Sequence, residues 1–139
     1  MQNPSKPMYL RALIVDDDPV LQMLHQKLLR SLYIDSIVAG TGIEAIQAIK
    51  NLPFDFVLMD INMPEQDGLD AARWIRDEKN LHNRDILIFA VTSYSSPEHT
   101  REILLSGMNE HLKKPLNQDE LKKLLEKYFW SRNLPQQDT

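Results

Sequence analysis

The chain has 139 residues, 42% of them hydrophobic and 26% charged, with a net charge of −4 and no cysteine. Such a chain can bury one adequate core, and its balance is that of a globular domain rather than of a disordered or fibrous one. The lack of cysteine excludes disulfides and any thiolate metal site or nucleophile, the negative charge argues against a direct grip on nucleic acid, and no apolar run approaches the roughly 20 residues that span a bilayer.

The opening MQNPSKPMYL contains two prolines and no apolar signal stretch, so residues 1–8 read as an N-terminal extension and the expected location is cytoplasmic. Leu10 to Val15 then forms the first short apolar run, as in a strand buried on both faces, and it ends in Asp16-Asp17. Asp18 before Pro19 has the form of an N-cap followed by a first-turn proline, which predicts a helix from about Pro19 to Leu32 with a stripe of Leu21, Leu24 and Leu28. Ile34 to Ala39 is the second strand, and its end at Ala39-Gly40 offers no side chain for chemistry. After the Gly40-Thr41-Gly42 turn, Ile43, Ile46 and Ile49 predict a second helical stripe that Pro53 terminates.

Phe54 to Met59 is the third strand and runs into Asp60; a helix follows from about Leu69 to Glu78. Ile86 to Val91 is the fourth strand, ending in Thr92-Ser93, with a helix from Pro97 to Ser106 after it. His111 to Lys113 is a short fifth strand placed by the alternation of elements, and Lys114-Pro115 follows it. The last helix, Gln118 to Phe129, puts Leu121, Leu124, Leu125 and Tyr128 on one face and Lys122, Lys123 and Lys127 on the other. Residues 131–139 are a polar, proline-containing tail or the start of a linker. Five alternations of strand and helix predict an α/β fold, a doubly wound five-stranded parallel sheet covered on both faces.

In such sheets ligands bind beyond the carboxyl ends of the strands, so the strand ends carry the chemistry. Four of them bear Asp16-Asp17, Asp60, Thr92-Ser93 and Lys114-Pro115. Three gathered carboxylates repel unless a cation offsets them, and a hard divalent ion such as Mg²⁺, which prefers oxygen ligands and is commonly shared with phosphate, answers that need. Taken singly, an Asp at a strand end is more often a cap or turn residue, Thr92 an ordinary β-branched strand residue and Lys114 a surface charge. Their joint placement points to a site.

The runs Val15-Asp16-Asp17-Asp18-Pro19, Leu58-Met59-Asp60-Ile61-Asn62-Met63-Pro64-Glu65-Gln66-Asp67-Gly68, Val91-Thr92-Ser93 and Gly107-Met108-Asn109-Glu110-His111-Leu112-Lys113-Lys114-Pro115 resemble the ordered signatures of response-regulator receiver domains, the CheY-like family of two-component systems. The resemblance covers about residues 9–130 and implies a flavodoxin-like strand order of 2-1-3-4-5. It implies that Asp60 is the phosphoacceptor, taking a phosphoryl group from phosphohistidine. It also implies that Asp16, Asp17, Asp60 and the Asn62 backbone carbonyl hold Mg²⁺, for which Mn²⁺ can substitute, and that Lys114 and the Thr92 hydroxyl engage phosphoryl oxygens. Thr92 and His111 would form the switch, signalling through the fourth helix, fifth strand and fifth helix. In the loop after the third strand Pro64 would stiffen the turn and Gly68 would supply unusual backbone angles, while Lys114-Pro115 is expected to be cis.

The implied partners are a sensor histidine kinase or a histidine phosphotransfer protein and a downstream protein target, with phosphorylation-dependent homodimerisation as a further expectation and neither nucleic acid nor membrane. The chain would catalyse only its own phosphorylation and dephosphorylation. His111 departs from the family's usual Tyr or Phe and is expected to pack as a partly buried ring. A haloacid-dehalogenase-type phosphatase would need an acidic residue where Asn62 stands, and a pseudo-receiver would lack one of the acidic, acceptor or lysine positions. Tyr94 and Asn62 occupy positions expected to tune water access. A stand-alone receiver or relay intermediate is preferred to an excised domain of a larger protein.

Overall fold

The computed structural model describes residues 10–61, 67–77, 85–93 and 96–130. The N-terminal extension, the C-terminal tail, Asn62, Pro64 and Tyr94 lie outside the described residues. In chain order the elements are β1 (Arg11–Val15), α1 (Pro19–Ser31), β2 (Asp35–Ala39), α2 (Gly42–Asn51), β3 (Phe56–Asp60), α3 (Asp67–Arg76), β4 (Leu87–Thr92), α4 (Pro97–Leu105), β5 (Glu110–Lys113) and α5 (Gln118–Leu125), extended by a π-helical turn over Glu126–Trp130. All strand pairs are parallel and the sheet order is β2-β1-β3-β4-β5, the flavodoxin-like order.

Strand alternation sorts the core into two layers. Leu13, Val15, Val57, Met59, Ile88 and Ala90 face one cluster with Ala45 and Ile49 of α2, Leu69, Ala72 and Ile75 of α3, and Ile103 of α4. Ala12, Ile14, Phe56, Leu58, Phe89, Val91 and Leu112 face the other, with Leu29 of α1 and Leu121 and Leu125 of α5. On that second face the Phe56 and Phe89 rings sit 5.5 Å apart, and Phe129 and Tyr128 of the π-helical turn stack against them at 5.8 Å and 5.5 Å. Such aromatic pairs are worth about 0.5–1.5 kcal/mol each beyond area burial, and here they pin the end of the last helix to the sheet.

Local chemistry sets where the helices begin and end. The Asp18 side chain accepts the Val20 N–H as N-cap with Pro19 at the first helical position, as expected. Thr41 caps α2, and Leu52, held extended before Pro53, closes it.

Two stripes are rotated from their expected positions. In α1 the buried side chains are His25 and Leu29 while Leu24 is 51% exposed, and in α2 Ala45 and Ile49 are buried while Ile43 is 69% exposed. In both helices spacing alone selected the largest aliphatics, whereas the angle at which the capped first turn leaves its strand decides which side meets the sheet. The edge strands also differ from the fully buried pattern, since β2 is only partly covered until Ala39 and β5 buries only Leu112.

Helix α3 starts at Asp67 and stops at Arg76, so Gly68 lies in its first turn and not in a loop. A Cβ at Gly68 would come within 2.5 Å of the Asp60 carbonyl oxygen and 3.0 Å of the Ile61 Cα. Among the described glycines only Gly107 takes a positive φ, so the role expected for Gly68 is corrected from unusual backbone angles to close approach.

Candidate functional site

The parallel register brings the carboxyl ends of β1, β3, β4 and β5 to one edge, with Val15 opposite Met59, Asp60 opposite Val91 and Thr92 opposite Lys113. Alternation turns Asp60 toward the face shared with Phe56 and Leu58, and Thr92 toward the opposite face shared with Ile88 and Ala90. The expected residues from three of these ends meet in one pocket. Carboxylate oxygens of Asp16, Asp17 and Asp60 lie within 4.8 Å of one another, and the Lys114 Nζ donates to Asp60 Oδ1 at 3.0 Å. Asp16 and Asp60 are buried, whereas Asp17 is exposed and leaves the pocket open to solvent on its side. The Lys114-Pro115 bond is cis.

Burial drives the electrostatics of Asp16. Desolvation pushes its pKa up to about 6; the Asp18 backbone N–H bonded to its Oδ1 pulls it down, the Asp60 charge raises it further, and Lys114 partly offsets that. Its second oxygen, Oδ2, is among the described residues the one buried side-chain polar atom without a hydrogen-bond partner. A buried oxygen left without a partner on one of three gathered carboxylates is a donor set that a hard cation satisfies, so the residues present fit Mg²⁺.

Thr92 is fully buried at the end of β4, and its Oγ1 lies 3.2 Å from the Nε2 of His99 on the first turn of α4. His111 is opposite Ala90 in the β4–β5 register and points away from the Leu112 side. It is exposed, which corrects the expectation of a partly buried ring: β5 is an edge strand and α4 does not cover this position.

A family model described as the response regulator receiver domain matches residues 12–126. The chain belongs to the response regulator receiver domain family. This receiver is 34% identical over 119 residues to the sensor histidine kinase GacS of Pseudomonas protegens, covering 85% of this chain and 13% of that protein. It is 31% identical over 119 residues to the histidine-protein kinase BarA of Escherichia coli, covering 86% and 13%. It thus spans about an eighth of the length of these curated relatives, both of them histidine kinases.

Among solved structures it superposes with a TM-score of 0.81, at 29% identity and covering 94% and 95% of the two chains, on a co-crystal of the Saccharomyces cerevisiae histidine phosphotransfer protein Ypd1 and the receiver domain of its downstream response regulator Ssk1. It superposes with a TM-score of 0.78, at 31% identity and covering 87% and 98%, on the receiver domain of a Pseudomonas aeruginosa sensor histidine kinase with a magnesium ion coordinated in the active site cleft. Receivers of this family are signalling domains of two-component systems. Among the described residues no helix is long and apolar enough to cross a membrane.

Three residues near the site escaped sequence reasoning. His25 is buried on α1, and desolvation, then the charge of Lys114, holds its imidazole below the ordinary range against an opposing pull from Asp60. Its position four residues after Leu21 and four before Leu29 was the available signal. Gln22 donates to the Asp16 carbonyl at 2.6 Å, and His99 reaches Thr92; both depend on helix orientation and leave no trace in spacing.

Proposed function

We propose that this receiver accepts a phosphoryl group on Asp60 from a phosphohistidine and signals by rearranging the surface around α4, β5 and α5. The observation that carries the reading is the Lys114 ammonium 3.0 Å from Asp60 Oδ1, inside a trio of carboxylates that includes the orphaned Asp16 Oδ2. The Asp60 carboxylate attacks phosphorus, the P–N bond to the donor imidazole breaks, and the imidazole leaves with the bonding pair. Lys114, already paired with Asp60, neutralises charge on the group as it transfers. Phosphoryl transfer asks little covalent work of a protein, so alignment plus such charge compensation supports most of the rate.

Asp16, Asp17, Asp60 and the Asn62 carbonyl would hold the divalent ion, with Mg²⁺ favoured and Mn²⁺ an acceptable substitute. When bound, it supplies positive charge to the oxygens of the transferring group. The Thr92 hydroxyl would donate to a phosphoryl oxygen, and His111 on the neighbouring strand would belong to the surface that changes. The chain catalyses no reaction but its own phosphorylation and dephosphorylation.

Apolar side chains exposed on α1 support a docking partner. Val20, Met23 and Leu24 are each more than half exposed on the helix that begins just after Asp17. Such a patch beside an acidic pocket suits a helical histidine phosphotransfer protein or the corresponding domain of a sensor kinase. On the far edge a groove of about 480 Å³ runs along β5 and α5, where Lys113, Lys123 and Lys127 outnumber Glu120 and Lys127 is itself paired with Glu110, a mixed surface for a downstream protein or a second phosphorylated copy. The receiver unit is taken as residues 9–130, working in the cytoplasm, with 1–8 as extension and 131–139 as tail.

The reading is tested with a histidine phosphotransfer protein carrying labelled phosphohistidine. Label should pass to the wild-type chain in Mg²⁺, in a form that hydroxylamine releases as expected of an acyl phosphate, and should not pass to Asp60→Asn. Equal labelling of Asp60→Asn would overturn it.

A further inference from the structure

The hydroxyl of Thr92 is occupied from the side opposite the acidic pocket. His99 sits on the first turn of α4, where its backbone N–H is bonded to the Ser96 cap at 3.2 Å, and its ring spans two elements. Nε2 lies 3.2 Å from Thr92 Oγ1 and Nδ1 lies 3.8 Å from Glu102 Oε1 one turn further along α4. Thr92 is fully buried and the His99 side chain is 21% exposed, so the Thr92–His99 contact is largely shielded from water.

A hydroxyl has one proton to donate. In the tautomer that carries its ring proton on Nδ1, the nitrogen nearer the Glu102 carboxylate, Nε2 is an acceptor and takes the Thr92 proton. A phosphoryl oxygen on Asp60 is a stronger, charged acceptor for the same proton. Thr92 cannot donate fully to both.

We propose that His99 is a positioning residue for Thr92, a latch that holds the Thr92 hydroxyl against α4 until a phosphoryl group on Asp60 competes it away and frees the first turn of that helix. This rests on the reading of Asp60 as acceptor. The latch explains how a change at the end of β4 reaches α4 without relying on the aromatic that the family usually carries where this chain has exposed His111. It also works against phosphorylation, because the Thr92–His99 bond must be given up when the phosphoryl group arrives.

The test uses beryllofluoride with Mg²⁺ as a phosphoryl mimic, read by NMR shifts of backbone amides in residues 96–105 and by the mimic's apparent affinity. His99→Phe keeps a ring without a nitrogen, and His99→Gln keeps an acceptor. For wild type we expect saturable binding with large shifts in the first turn of α4. In His99→Phe the mimic should bind about two- to tenfold more tightly, the worth of one net hydrogen bond no longer surrendered, and the mimic-induced α4 shifts should shrink. His99→Gln should return part of both effects, and in a Thr92→Val background His99→Phe should change nothing further.

Unchanged affinity and unchanged α4 shifts in His99→Phe, or an effect that persists in Thr92→Val, would overturn the latch while leaving the acceptor reading intact. Absence of saturable binding to the wild-type chain would overturn both.

Discussion

Asp16 carries the electrostatic cost of the pocket. Its pKa rises from the ordinary 3.8 to about 6, chiefly because burial penalises the carboxylate. Between those values the folded chain holds a proton that the unfolded chain has released, so this residue's contribution to stability falls as pH rises through the window and stays low above it. Asp16→Asn keeps an oxygen for the Asp18 N–H and removes the charge. In chelator, its stability advantage over wild type by urea unfolding should therefore grow from near zero at about pH 4 to about 2–3 kcal/mol above pH 6. A difference that stays flat with pH would contradict this. Added Mg²⁺ should narrow the gap, because an ion held by the folded wild-type carboxylates and not by the unfolded chain would favour the folded state. Asp16 and Asp60 could be read from the sequence because each follows a short apolar run, which fixes it at a strand end whatever the details of packing, and Lys114 because the alternation of elements places a short fifth strand just before it. His25, Gln22 and His99 could not, because each sits on a helix whose rotation is set by the sheet it lies on.

At the scale of elements, the same distinction separates strands from helices. A period of two leaves little freedom, so β1, β3 and β4 fall within two residues of their expected bounds, and only the partly covered edges depart from the buried pattern. A helical stripe can be read two ways when large aliphatics such as Leu24 and Ile43 lie one step off the inward face. Both are exposed here, and on α1 the displaced Leu24 joins Val20 and Met23 in the patch that suits a docking partner. Gly68 links an element to the site, since α3 can start only where the chain lies against the Asp60 carbonyl. Gly68→Ala forces that first turn away by collision with backbone, which has no flexible side chain to yield. We expect a loss of about 1–3 kcal/mol in unfolding stability and slower labelling of Asp60, measured by denaturation and by phosphodonor kinetics on the same sample. Wild-type stability in this variant would show that the approach is less close than 2.5 Å implies.

At the scale of the molecule, the order β2-β1-β3-β4-β5 puts β1 and β3 side by side, and that adjacency brings residues more than forty positions apart into one cluster of carboxylates. Alternation of elements predicted the layers, but the strand order needed the resemblance to receivers, because connection lengths alone allow several orders for five parallel strands. Helices α1 and α5 cover one side of the sheet and α2, α3 and α4 the other. The pocket therefore opens beside α1 while Thr92 faces α4, so on the proposed reading the sheet itself would separate where a donor docks from where the change is read out. The most direct measurement is intact mass after incubation with a small acyl-phosphate donor. In Mg²⁺ the wild-type chain should gain a single phosphoryl group, and with chelator, or with Asp60→Asn, it should gain none. An adduct that survives in Asp60→Asn, or a wild-type chain left unmodified by excess donor and Mg²⁺, would contradict phosphoryl acceptance at this pocket.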